Sequence, residues 1–122
     1  MSEIRKFDTG ATRDTDTGKL KYEGFIDPLV DKRYAQYMHG HRIQADGTLR
    51  DPDNWQKGIP LSAYGDSLVR HVVDFRLHFD GYQNEAVDPD IESVLCAIIF
   101  NARGYLFEHL KAKKKKEREN LI

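Results

Sequence analysis

Apolar residues recur every three or four positions in three stretches of this chain and show almost no alternating pattern, which predicts three helices. The first stretch opens at Asp27-Pro28, an N-cap residue followed by proline at the first helical position. It carries Leu29, Val30, Tyr34, Tyr37 and Met38, so a helix is predicted from about Pro28 to His41. The second begins near Pro60 or Ser62 and reaches Phe79, with Leu61, Tyr64, Leu68, Val72, Phe75 and Phe79 on its apolar side and Asp80-Gly81 as its stop. The same start signal returns at Asp88-Pro89, and Leu95, Ile98, Ile99, Ala102, Leu106 and Leu110 mark a third helix. Lys111 to Glu119 extends it as a solvated end whose cations suit the negative helix pole. The predicted class is all-α, a compact three-helix domain over residues 25–122, preceded by an irregular arm over residues 1–24.

The segments between these stretches are polar and turn-rich. In the arm, Gly10, Gly18 and Gly24 punctuate a composition that predicts neither a helix nor a clear strand, and that needs a partner surface. Residues 43–60 hold Gly47, Pro52, Gly58, Pro60 and several aspartates and read as a long ordered loop. Loops of that length are uncommon unless they are functional or disordered.

At 122 residues, with 39% hydrophobic and 32% charged positions, the chain has the size and polarity of one soluble domain. Nineteen basic residues against 20 acidic ones leave a net charge of −1, so overall charge argues neither for nor against nucleic acid. The run Lys113 to Lys116 lacks interleaved aromatics and passes into Glu117 and Glu119, so it reads as a solvated helix end and no direct nucleic-acid binding is expected. The single cysteine, Cys96, lies in an apolar run and reads as a buried reduced thiol, which suits a cytoplasmic protein. Met1-Ser2-Glu3-Ile4-Arg5-Lys6 has no apolar signal-peptide core, and no stretch approaches the roughly 18 apolar residues of a membrane span. Apolar faces on all three helices exceed what one small core covers, which predicts a homo-oligomer, a dimer or tetramer.

Candidate chemistry concentrates in Asp53-Asn54-Trp55-Gln56-Lys57-Gly58 and in the helix that follows. A tryptophan plate, an amide and a lysine in one loop suit a planar anionic ligand such as a nucleotide, although Trp55 can equally be a core anchor and Lys57 a generic surface cation. On the second helix His71, Asp74 and His78 share one stripe with Ser67 and Arg70 beside it. That arrangement can bind a divalent ion or position water, or it can be a polar face with a His–Asp hydrogen bond. Asp88, Asp90 and Glu92 open the third helix, either as ordinary complements of its positive end or as carboxylates that complete a magnesium site with His71 and Asp74. Asn101 lies about 20° from Asp90 around an ideal helix and, amid apolar neighbours, either touches ligand or pins one helix to another. The pair Gly18-Lys19 is too short for a phosphate-loop motif, and His39 and His41 read as surface residues on different sides of the first helix.

Several of these pieces, in this order, resemble the dATP/dGTP diphosphohydrolase family of bacteriophages and bacteria, related to the MazG-like all-α nucleotide pyrophosphohydrolases. They are Gly10-Ala11-Thr12-Arg13-Asp14, Gly18-Lys19-Leu20-Lys21-Tyr22, Asp53-Asn54-Trp55-Gln56-Lys57-Gly58, Ser67-Leu68-Val69-Arg70-His71, and Leu95-Cys96-Ala97 with Asn101-Ala102. The resemblance covers residues 10 to 110 and implies hydrolysis of purine deoxynucleoside triphosphates to monophosphate and pyrophosphate, assisted by Mg²⁺ or Mn²⁺. It often goes with phage nucleotide metabolism, and implies the cytoplasm, that of the host if the chain is phage-encoded. The chain departs from the family pattern at Val94 and Ala97, where relatives carry His-x-x-His, and at Arg70-His71-x-x-Asp74, where MazG proteins carry Glu-Glu-x-x-Glu. The metal site is therefore reduced, rebuilt from Asp74, Asp90 and Glu92, or lost. On the intact reading His71, Asp74 and Glu92 are catalytic; Lys19, Lys57 and Arg70 hold phosphate; Asn54, Trp55 and Asn101 hold the rest of the nucleotide. The rival readings are a non-catalytic nucleotide binder, either a regulator or a phage sponge for a nucleotide signal, and a phosphohydrolase that removes one phosphate.

Overall fold

In the computed structural model, residues 3–121 are described; Met1 and Ser2, at the head of the predicted arm, and Ile122 lie outside the described residues. The described chain is all-α, with three helices and one small two-stranded sheet, and it divides into two units, one ending at Asp31 and the other beginning at Lys32.

The N-terminal unit holds two short strands where the sequence predicts no clear one. Strand β1 (Ile4–Lys6) pairs antiparallel with β2 (Thr12–Asp14), setting Ile4 opposite Asp14 and Lys6 opposite Thr12. The turn between them is closed by Phe7 N–H to Ala11 O and Gly10 N–H to Phe7 O, both 2.9 Å, with Gly10 at φ +88°. Strands of three residues are too short to show alternation, so only the turn chemistry could announce them.

Helix α1 (Pro28–Gly40) starts as predicted. Asp27 Oδ1 accepts from Leu29 N–H at 2.8 Å and Val30 N–H at 3.1 Å, the N-cap geometry for which Asp-Pro is suited. No residue of α1 is fully buried.

Helices α2 (Leu61–Phe79) and α3 (Ile91–Glu119) form the packed pair of the second unit. They run antiparallel, since Tyr64 near the start of α2 meets Gly104, while His78 near its end meets Asp88 just before α3. Asp80-Gly81 stops α2 as predicted: Gly81 takes φ +87°, and Tyr82 N–H returns to Leu77 O at 2.6 Å. The cap of α3 is Asp90 rather than Asp88. Asp90 Oδ1 accepts from Glu92 N–H and its Oδ2 from Ser93 Oγ, both at 3.0 Å, whereas Asp88 Oδ1 is used by Asp90 N–H in the preceding turn.

The buried face of α3 is not the one its largest side chains mark. Leu95, Leu106 and Leu110 are 41%, 55% and 44% exposed, while Val94, Cys96, Ala97, Asn101 and Gly104 are buried. The reason is the size of Tyr64, which is 1% exposed and lies so close to α3 that a Cβ at Gly104 would stand 2.2 Å from its ring. A ring at that depth needs small residues opposite it, so packing chooses the small side of α3 over the leucine side. Phe100 meets the same ring edge-on at 5.7 Å between centroids.

The 43–60 segment is more regular than a loop. Ile43 bridges Leu49 in a short hairpin turned at Gly47 (φ +85°), held by Gln44 N–H to Thr48 O at 2.8 Å and Arg50 N–H to Arg42 O at 2.7 Å. Asp46 accepts from both the N–H and the hydroxyl of Thr48, the latter holding its carboxyl below the usual range. A 3-10 turn over Asn54–Lys57 follows and ends at Gly58, whose φ of +120° favours glycine.

Candidate functional site

Helices α2 and α3, the end of α1 and the hairpin segment enclose a cavity of about 700 Å³ in the second unit. From α2 come Ser67 and His71, from α3 Phe100 and Asn101, and from the 3-10 turn Asn54 and Trp55. The hairpin adds Arg42 and Arg50, with Asp51 after them. Four of the sequence-derived candidates, Asn54, Trp55, His71 and Asn101, therefore share one lining although 47 positions separate the first from the last.

Their positions have local causes. Ser67 and His71 are one helical turn apart on α2 and face the cavity together. The buried Asn101 donates through Nδ2 to Ala97 O at 2.8 Å, which fixes its carboxamide against α3. Trp55 is half-buried, with its ring edge-on to Phe107 at 4.7 Å between centroids, so it packs against α3 and borders the cavity at once.

Other candidates stand apart from this lining. Asp74 is 6% exposed and accepts through its two oxygens from Val87 N–H at 2.9 Å and Asp88 N–H at 3.1 Å. His78 Nε2 adds a contact of 2.8 Å to Asp88 O, so the stripe that unites His71, Asp74 and His78 on paper splits, with its last two members fastening the α2–α3 connection. Asp90 and Glu92 meet Arg33 of α1 at 3.4 and 2.7 Å. Asp90 is held below the ordinary carboxylate value by Ser93 and the Glu92 N–H. Among the described residues no three His, Cys, Asp or Glu side chains are grouped to hold a metal ion, and Asp74, Asp90 and Glu92 do not converge in this arrangement.

The cations sort similarly. Lys57 and Arg70 are exposed and off the lining, although Arg70 Nη2 donates to Ser67 Oγ at 2.9 Å and so stands one hydrogen bond behind the cavity wall. Lys19 belongs to the N-terminal unit, where its N–H closes a turn on Asp16 O at 3.0 Å. Cys96 is buried as expected, and burial pushes its thiol above the ordinary value, which suits packing rather than nucleophilic chemistry.

Sequence reasoning did not assign the charged and imidazole groups of the α1 end and hairpin to this lining. His39 and His41 are exposed, as the sequence predicts, and also border the cavity, the latter with Nδ1 at 2.9 Å from Tyr37 O. Arg42 and Arg50 were legible only through the hairpin that pairs them, for which Gln44-Ala45-Asp46-Gly47 between Ile43 and Leu49 was the available turn signal. Chemically, the lining offers an aromatic plate, neutral amide and hydroxyl groups, imidazoles and two guanidiniums. That set suits a planar ligand with an anionic end. In comparisons with known proteins, no family model, curated protein or solved structure matches the chain.

Proposed function

We propose that the cavity binds a purine deoxynucleoside triphosphate and that the protein hydrolyses it to the monophosphate and pyrophosphate. The observation that carries this reading is the meeting of Trp55, Asn54, His71 and Asn101 on one cavity of about 700 Å³, within the size range of small-molecule sites. Trp55 offers a stacking surface for the purine, and the amides of Asn54 and Asn101 offer donors and acceptors for base and sugar. His71 is the general base: its imidazole takes a proton from water attacking the α-phosphorus, the bond from that phosphorus to the bridging oxygen breaks, and pyrophosphate leaves with the electron pair.

The resemblance to dATP/dGTP diphosphohydrolases also brings Mg²⁺ or Mn²⁺, which would neutralise phosphate charge. Asp74, Asp90 and Glu92 do not fit as a shared site for it, because their oxygens already serve the backbone N–H groups of residues 87, 88 and 92 and the Arg33 guanidinium. The reading further includes a homo-oligomer, dimer or tetramer, formed through exposed apolar helix faces. It places the work in the cytoplasmic nucleotide pool, the host's if the chain is phage-encoded.

A panel of deoxynucleoside triphosphates, incubated with and without Mg²⁺ or Mn²⁺ and resolved by chromatography, tests the reaction. Pyrophosphate and a purine monophosphate are expected; orthophosphate would instead indicate removal of a single phosphate. A second reading, a nucleotide-binding protein without catalysis, is favoured by the structural employment of Asp74. Saturable binding with no product under any metal condition would select it.

A further inference from the structure

We propose that Arg42 and Arg50 are the polyphosphate-binding pair of the cavity, an inference that rests on the nucleotide reading and names which residues take its anionic end. The two stand on opposite arms of the Ile43–Leu49 hairpin and both line the cavity. Arg42 Nε donates to Arg50 O at 2.8 Å, and Arg50 Nη1 donates to His41 O at 3.1 Å. Each guanidinium is thus oriented by a carbonyl, which accepts a hydrogen bond without cancelling the charge.

Among the described residues, neither arginine reaches a carboxylate within ion-pair distance, in contrast to Arg33 and Arg76. Two fixed positive charges therefore face the cavity, and among the described residues Asp51 is the only carboxylate on its lining. A guanidinium fork matches the oxygens of phosphate in pairs, and two forks held across a hairpin suit a ligand bearing several negative charges better than a single carboxylate. Arg42 keeps both terminal nitrogens for this purpose, and Arg50 keeps one of its two along with Nε. The sequence-derived phosphate ligands Lys57 and Arg70 lie off the lining, so the hairpin supplies the charge they were assigned.

The test is calorimetric titration of the full chain with sodium tripolyphosphate, which carries the charge without base or sugar. Saturable binding is expected, weakened about tenfold or more in Arg42→Gln and Arg50→Gln, the scale of one lost charged hydrogen bond. Asp51→Asn should tighten it, and because the Asp51 side chain makes no hydrogen bond or ion pair among the described residues, this variant changes charge without removing a contact that holds the hairpin. Arg50→Lys, which keeps the charge but not the fork, should fall between Arg50→Gln and the parent. Tripolyphosphate binding that is absent in the parent, or that is indifferent to all four substitutions, overturns the assignment. Binding that responds as stated in a protein that hydrolyses no triphosphate would instead sink the hydrolase reading and leave the arginine pair standing.

Discussion

Tyr64 carries an internal conflict: its ring fills the α2–α3 contact, yet its hydroxyl is buried without a hydrogen-bond partner among the described residues. A buried hydroxyl without a partner forfeits its hydration, so Tyr64→Phe should raise stability by about 1 kcal/mol in urea unfolding, and a loss would show that the oxygen has a partner. Gly104→Ala probes the same contact from the other side. Its methyl would stand 2.2 Å from the ring, so a loss of about 1–3 kcal/mol is expected, and an unchanged melting temperature would refute the close approach. Asp74 distinguishes structure from catalysis. Asp74→Ala leaves two N–H groups of the α2–α3 connection unpaired and should cost about 2–3 kcal/mol, whereas a residue serving chemistry alone would leave the melt untouched. Trp55 belongs with these. Its fluorescence should be quenched on titration with dGTP or dATP, and Trp55→Phe should weaken binding by about 1 kcal/mol; a parent spectrum that ignores purines would leave the indole a packing group only.

Among the elements, α3 has the best-defined start, since Asp90 satisfies Glu92 N–H and Ser93 Oγ together. Its carboxyl is held below the ordinary value of 3.8 first by Ser93, then by that N–H. A carboxyl with a depressed folded value contributes stability above its unfolded value and loses it as pH falls through the folded one. Helix signal from the first turn of α3 should therefore persist down to about pH 4 and fade below it, while in Asp90→Ala this acid step should be missing; backbone amide shifts of Glu92 and Ser93 followed by NMR would show it. The sequence made much of this level legible, because Asp27-Pro28 and Asp80-Gly81 act through short-range hydrogen bonds that their own residue types dictate. Which side of α3 would be buried was not legible, because periodicity weighs each side chain alone. Burial of Ala97 and Gly104 instead follows from the bulk of one tyrosine on another helix. The site was half legible for a similar reason. Trp55, His71 and Asn101 announce themselves by type, whereas Arg42 and Arg50 matter only once Ile43 and Leu49 pair.

For the whole molecule, the feature with most consequence is apolar surface left in water. Val69, Val72 and Val73 of α2 are 65%, 41% and 55% exposed, and Leu95, Leu106 and Leu110 extend the exposure along α3. Scattered exposed leucines are ordinary, but residues recurring on two adjoining helices suit a second copy. Light scattering at micromolar concentration should report at least twice the 14.1 kDa chain mass, reduced toward one chain by Leu95→Glu with Val72→Glu; a monomer in the parent would contradict self-association. Among the described residues no helix is long and apolar enough to cross a membrane. Within the second unit, residues 87 and 88 are fastened onto Asp74, with His78 on Asp88 O. These bonds close the connection between two neighbouring helices at short range in sequence. The hairpin and 3-10 turn that complete the cavity hold no fully buried residue, so they open at lower cost than the helix pair. Amide protons on that side of the cavity should exchange with solvent first and slow when ligand enters, so that occupancy would be recorded as the hardening of one wall against another already rigid.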